Sequence, residues 1–343
     1  INNTSLDGLT VLRDDYKKLK HRLGRVPLLC DFQKSEKVDC TVFADKCQNY
    51  YHFLLKMKED VHLTAGQEAI LSFVSIELMN GKRSVELLLL NELIKHHGIF
   101  AKRNLKTLMT KQQIFYNTDV SRSVERVLSL EFFQKAAKKK YGNEPVVLIE
   151  DGIYQLNTKI IDWLENDALF NSLLTDAIHV GIIRANKYNQ DEQFTLYHRY
   201  NRKDVCRLLC WDSDTSSTIY GYRVRDHECP IFVTYAKSDQ IDSSINYQDR
   251  FINADTFQWY TRHNVKLDSK EVTNIKDSQT TIRLFIKKND DEGKGFYYFG
   301  EVQVKETEQQ EFQVKDDKVE PIVRMILQLD DSAQYDKYLL FEK

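Results

Sequence analysis

The residues best suited to chemistry lie in the stretch INADTFQWYTRHN, residues 252 to 264. Read as a strand, it puts Phe257, Trp259 and Thr261 on one face and Tyr260 and Arg262 on the other. A strand buried on one side carries apolar residues inward and polar ones outward. Aromatics on both faces beside a cation therefore predict a core on one side and a ligand on the other. For each ring taken alone, packing in a core is the plain alternative. Trp211, Tyr220, Tyr222 and Tyr235 are further rings of this kind, and Tyr220 and Tyr222 flank Gly221, where a planar ligand can approach the backbone closely. Asp212 and Asp214 follow Trp211 and can accept from an amine or close a turn. Arg223, Arg225, Arg262, His263 and Lys270 offer cations to phosphate-like anions. The chemistry these types support is non-covalent: stacking on a ring, accepting from its edge and holding anions around it.

Reactive chemistry has thinner support. Asp255, Asp268 and Lys270 loosely match the acid, acid-x-Lys spacing of magnesium-dependent nucleases, which keeps a nuclease as an alternative. A protein-interaction scaffold is the other alternative. His198, Cys206, Cys210, His227 and Cys229 are the material for a zinc site, but VCRLLCW reads as a strand, where a spacing of four lacks the tight knuckle zinc prefers. The segment NGKRS at 80–84 falls short of a phosphate loop, lacking its first glycine and the Ser or Thr that holds magnesium. No metal or cofactor is expected for this chain. Its six cysteines include no CxxC, which fits a reduced, cytoplasmic setting. No run of eighteen apolar residues and no signal-peptide pattern is present, so no membrane partner is expected. An initial Ile rather than Met suggests a fragment of something longer.

The elements that must position these groups fall into two kinds. From Leu9 to Glu59 apolar residues recur at helical spacing, interrupted by LGRVPLLCDFQ, where Gly24 ends a helix and Pro27 bars its continuation. A second helical block runs from Leu63 to His97, with Thr64 as N-cap and Glu68 after it. SRSVERVLSLEFFQKAAKKKY predicts a helix capped at Ser121, and EPVVLIEDGIYQLN a hairpin turning at Asp151-Gly152. Helix followed by hairpin is the order of a winged helix. Residues 158–185 continue as helix, with Trp163 as a core anchor. After residue 200 the period changes to two, predicting strands Val205–Trp211, Thr218–Val224, Pro230–Tyr235, Thr256–Thr261, Thr281–Lys287, Phe296–Val304 and Val323–Leu329. Seven short strands without a long helix predict a closed or nearly closed barrel. The fold class expected is α+β, divided into a helix-turn-helix-like unit at 1–60, a winged-helix-like coupler at 61–194 and a barrel at 195–343.

Net charge is −2, which identifies no partner by itself. Its distribution is more informative. Residues 101–140 hold ten basic side chains, Lys102, Arg103, Lys106, Lys111, Arg122, Arg126, Lys135, Lys138, Lys139 and Lys140, against Asp119, Glu125 and Glu131. That excess marks either a phosphate-contacting face or a solvated helix surface.

LKHRLGRVPLLCDF resembles the LGRxPxxxDF element found beside nucleases and homing enzymes. WDSDTSSTIYGYRV, CPIFVTYAKSDQI, NYQDRFINADTFQWYTRHN and LFIKKNDDEGKGFYYFGEV resemble the C-terminal region of SauUSI-type restriction enzymes, and the likeness extends along essentially the whole chain. In that family a phospholipase-D-like nuclease and a superfamily-two helicase precede a helical coupler and a terminal domain resembling SRA/PUA barrels. Its members cut DNA bearing 5-methylcytosine, using ATP and a divalent metal. The resemblance implies that this chain is a non-enzymatic reader: it would bind duplex DNA with a modified cytosine and couple to helicase and nuclease domains of the same polypeptide. The nuclease motif HxK(x)4D and a phosphate loop are both missing from the sequence, consistent with that division of labour. Flipping a base costs a few kcal/mol and stacking returns about 1–3 kcal/mol per ring, so two rings roughly suffice. The residues assigned to the pocket are Trp259, Tyr220, Tyr222, Trp211, Tyr235 and Asp212, and those assigned to the backbone Arg223, Arg262, Lys270, Lys138, Lys139 and Lys140. Trp259 is the preferred stacking ring, with Tyr260 keeping its hydroxyl in solvent on the side where Arg262 reaches a phosphate.

Overall fold

The computed structural model describes residues 5–35, 38–235, 249–313 and 319–341. The ends of the resembling stretch CPIFVTYAKSDQI and the start of NYQDRF lie outside them. The chain forms two compact units, residues 1–193 with 210–213, and residues 194–209 with 214–343.

The first unit is built from helices α1 (Ser5–Leu23), α2 (Leu29–Ser35), α3 (Thr41–Cys47), α4 (Tyr50–Lys56), α5 (Ala65–Phe73), α6 (Val85–Lys95), α7 (Lys102–Lys111), α8 (Thr118–Leu128), α9 (Lys135–Lys140), α10 (Thr158–Asn166) and α11 (Ala168–Ala185). Strands β1 (Ile99–Ala101), β2 (Val147–Glu150) and β3 (Ile153–Leu156) form an antiparallel sheet in the order β1-β3-β2. The LGRVPLLCDF element acts as a clasp. Gly24 closes α1 at φ +66°, Arg25 grips Asp31 through two bonds of 2.8 and 3.0 Å, and the Tyr50 hydroxyl donates to the Pro27 carbonyl. Asp176 of α11 accepts from the Leu29 and Cys30 amides, satisfying the start of α2. Thr64 caps α5 as expected, but its partner in the reciprocal capping box is Gln67, not Glu68. The α8 cap is Asn117, which accepts from the Val120 amide at 2.9 Å; Ser121, expected to cap, is buried within the helix. The β2–β3 hairpin turns at Asp151 and Gly152, both at positive φ. Trp163 packs on Phe170 at 5.7 Å.

The second unit carries β4 (Arg199–Tyr200), α12 (Arg202–Leu208), β5 (Glu228–Thr234), β6 (Arg250–Asn253), β7 (Thr256–Tyr260), α13 (Lys270–Ile275), β8 (Thr281–Lys287), β9 (Phe296–Gln313), β10 (Val319–Leu329) and α14 (Tyr335–Tyr338). Its sheet runs β5-β8-β9-β10-β7-β6, with β4 on β9, and curls into a half-barrel. Among the described residues the path is open, where the alternation predicts a closed or nearly closed barrel.

Two of the seven expected strands are absent. Val205–Trp211 is mostly α12, because the Asn201 side chain accepts from the Asp204 amide while the Asp204 carboxylate accepts from the Asn201 amide. Thr218–Val224 is a short 3-10 turn followed by isolated bridges. The strands β4 and β6 have no counterpart in the expected set.

Both faces of this sheet are covered. One carries a core that includes Cys229, Ile231, Phe257, Trp259, Leu284, Phe299, Met325 and Leu327. The opposite face of β5, β8 and β9 carries Phe232, Phe285, Phe296 and Tyr298, packed with Phe194 and Tyr200 at centroid distances of 5.1–6.3 Å.

Candidate nucleic-acid interface

Trp259, the preferred pocket ring, is 2% exposed and meets Tyr222 edge to face at 4.8 Å. Both belong to the core, so neither offers a stacking face. Tyr260, on the opposite side of β7, is also buried, and burial raises its pKa. Aromatics occur on both faces of β7 because both faces are covered, which corrects the expectation of a ligand on one side. Tyr235 packs against Phe341 at 5.3 Å at the core's edge. Trp211 is buried in the segment 210–213 that belongs to the helical unit, and Asp212 there pairs with Arg126 at 2.7 Å. Neither lines a pocket in the strand-rich unit. Asp214 closes a turn by accepting from the Ser216 amide.

What the strand-rich unit does bring together is a small network at the mouth of this core. The Tyr222 hydroxyl donates to Glu271, and Arg262 donates to the other Glu271 oxygen at 2.6 Å. The Arg262 guanidinium lies 4.7 Å from the Tyr222 ring centroid. Burial raises the Glu271 pKa above the ordinary carboxylate value even with Arg262 beside it. Glu271, the acid beside Arg262, is projected from the first turn of α13 under a Ser269 cap. Lys270 is exposed next to it.

The segment before β5 presents the one exposed ring of the assigned set. Tyr222 bridges Ile231, and the Phe232 amide donates to the Gly221 carbonyl at 2.6 Å, which ties the segment to β5. Gly221 has φ +76° and open space where a Cβ would stand. Beyond this turn Tyr220 is 68% exposed, and Arg223 donates to the Thr218 hydroxyl at 2.7 Å. Tyr220 and the Tyr222–Arg262–Glu271 network thus flank one glycine turn.

In the helical unit, three of the ten cations of 101–140 are paired: Lys102 with Glu125, Arg122 with Asp119 and Arg126 with Asp212. Among the described residues Arg103, Lys106, Lys111, Lys135, Lys138, Lys139 and Lys140 form no ion pair. On α7, Arg103, Lys106 and Lys111 are exposed on a helix without a single acid, while Leu105 and Met109 are buried.

The nuclease constellation is not assembled. Asp255 is tied to one end of β10, its carbonyl accepting from the Leu329 amide; the loop leading to Asp268 is tied to the other, through Val265 and Pro321. Residues 321 and 329 are separated by eight steps of extended strand, roughly 26 Å. The zinc material is likewise dispersed: Cys206 sits in α12, Cys210 with the helical unit and Cys229 in the barrel core. Among the described residues, no group of three His, Cys, Asp or Glu side chains is arranged to hold a metal. No helix there is long and apolar enough to cross a membrane.

A family model described as a domain of unknown function, DUF8090, matches residues 12–190, just over half of the chain. The chain belongs to that family. A second model, described as a domain of unknown function, DUF3427, matches residues 194–341. No curated protein matches the chain. Among solved structures, it is similar to the DNA modification-dependent restriction endonuclease AspBHI, at 13% identity over 40% of this chain and 75% of that one, with a TM-score of 0.29. It is also similar to SUVH5 SRA in complex with methylated CHH DNA, at 15% identity over 40% and 90% with a TM-score of 0.26. A third is the sulfur binding domain and SRA domain of ScoMcrA complexed with phosphorothioated DNA, at 12% identity over 69% and 78%, TM-score 0.27.

Proposed function

We propose that this chain is the DNA-binding part of a modification-dependent restriction enzyme: the strand-rich unit reads a modified cytosine in duplex DNA, and the helical unit adds sequence-independent affinity. The observation that carries the DNA-binding reading is the set of seven cations between 101 and 140 that no carboxylate among the described residues neutralises. Paired cations contribute little to phosphate binding, because their partners must first be displaced; unpaired ones are available at once. The modified base as the target rests on the resemblance carried by residues 205–304.

Within that reading, Tyr220 replaces Trp259 as the stacking ring. It has an open face and a tight turn beside it, and Arg223, three residues along the chain, forms no ion pair among the described residues. Glu271 is the acceptor for the cytosine amine: a carboxylate has about four acceptor positions, and Tyr222 and Arg262 occupy two. The order α6, β1, α7, α8, β2, β3 with β3 central in the sheet supports a winged-helix-like role for the helical unit, coupling to helicase and nuclease domains of the same polypeptide.

The test is binding of the chain to two duplexes of one sequence, one carrying 5-methylcytosine, across a salt series. Tighter binding to the methylated duplex with equal salt slopes is the expected result. Equal affinities would remove the reader assignment, and no binding to either would favour the scaffold.

A further inference from the structure

Arg202 is a half-buried arginine in the strand-rich unit with no ion pair among the described residues. It is the first residue of α12, and its guanidinium rests on two rings, 5.3 Å from the Phe232 centroid and 5.1 Å from that of Phe296. Its Nε is buried with no hydrogen-bond partner among the described residues. Nearby cations are otherwise engaged. Lys287 lies 4.9 Å from the centroid of the same Phe296 ring and pairs with Asp290 at 2.7 Å. Arg199 lies over the Tyr297 ring and donates to the carbonyls of Glu292 and Gly295. Asp290 is the acid whose charge bears on Arg202, and its side chain is largely exposed on Lys287. Burial weakens the guanidinium's hold on its proton, against a smaller opposing pull from Asp290.

A core does not require this arrangement. Elsewhere on these strands the buried cations are matched by carboxylates, Arg283 by Glu228 and Glu301 among them. A guanidinium seated on aromatic faces is held in place by the rings, which leave its in-plane N–H groups free to grip an oxyanion with two parallel bonds. We propose that Arg202, fixed on Phe232 and Phe296, is a phosphate-binding arginine. A backbone phosphate of nucleic acid and a free phosphate share this chemistry; the former source rests on the DNA-binding function proposed above.

The experiment compares the full chain with Arg202→Lys and Arg202→Gln in two arms. In the first, thermal melting is followed as inorganic phosphate replaces chloride at constant ionic strength. Phosphate should raise the melting temperature of the parent, less that of Arg202→Lys, which keeps the charge but loses the fork, and not that of Arg202→Gln. In the second, the salt dependence of duplex binding is measured. A slope shallower by about 0.9 in Arg202→Gln, equal for methylated and plain duplexes, identifies a DNA phosphate. Phosphate protection with an unchanged DNA slope identifies a free phosphate as occupant. If Arg202→Gln does not fold, the lysine variant decides by the same readings. Phosphate protection and DNA slope both unaffected by either substitution would overturn the site, while leaving DNA binding by the parent intact. A parent that binds no duplex would refute the proposed function instead, and the phosphate arm alone would then decide Arg202.

Discussion

Between residues 101 and 140 of the helical unit, seven cations form no ion pair among the described residues, whereas in the other unit Arg283, Lys287 and Arg324 on the strands, and Arg262 just after β7, each meet a carboxylate. A cation already paired contributes geometry; an unpaired one contributes long-range attraction. If the chain is the DNA reader proposed above, the difference places its two tasks in different units. On that proposal, affinity that ignores sequence would come from α7 and α9, and discrimination from the network of Tyr222, Arg262 and Glu271 beside the exposed Tyr220.

The largest effect that would break this comparison concerns Trp259. As a core ring packed on Tyr222, its replacement by Ala should cost about 3–5 kcal/mol of stability. Denaturant unfolding followed by circular dichroism measures this. A loss below about 1 kcal/mol would return Trp259 to a binding surface and undo the placement of discrimination at Tyr220.

Next in size is the helical face. Replacing Lys138, Lys139 and Lys140 with Ala should weaken binding to methylated and plain duplexes equally and flatten the salt slope by about 0.9 for each phosphate that the variant no longer neutralises. All three are on α9, which has no buried residue, so melting should stay near the parent value. An unchanged slope would mean that these cations are merely solvated.

Tyr220→Ala sharpens the other side of the comparison. Loss of one stacking ring should remove about 1–3 kcal/mol of affinity for the methylated duplex, with a smaller effect on the plain one. Because Tyr220 is exposed, its truncation should not alter melting. If preference for the methylated duplex survives, the base is read elsewhere.

The sequence made some of this legible and hid the rest for identifiable reasons. The Thr64 cap, the Asp151-Gly152 hairpin and β8 follow from local chemistry: a side-chain oxygen, two positive-φ positions and an apolar run of strand length. VCRLLC was misread because a short apolar run has no decisive period, and the deciding signal, Asn201 with Asp204 three residues on, lies ahead of it. The faces of FQWYTR were misjudged because alternation separates two sides of a strand without revealing that both are covered. Glu271 escaped notice because its partner Arg262 is nine residues away in sequence and meets it only through the turn into α13. Tyr220 was among the assigned residues, but nothing in its neighbourhood of tyrosines distinguished the exposed one from the buried Tyr222.

The smallest effect is a difference in acid sensitivity within the helical unit. Asp39 bonds to Arg184 and to Thr41, with Lys187 at 3.7 Å. Burial pushes the Asp39 pKa up, but the bonds from Arg184 and Thr41 more than offset this and hold it at about 2, below the ordinary 3.8. A lowered folded-state pKa means that the unfolded chain takes up the proton first as pH falls. The stabilisation from Asp39 is therefore present in full above pH 3.8 and is lost between there and about pH 2. Asp39→Asn has no such titration. Its stability should lie below that of the parent at neutral pH, and the gap should narrow as pH falls through that interval, read from urea unfolding midpoints at matched ionic strength. Because Asp39 is partly exposed, the gap should be small. A gap that stays constant down to pH 2 would show that the Arg184 pair is not what depresses this carboxyl, and that even the paired cations of the helical unit are held more loosely than those on the strands.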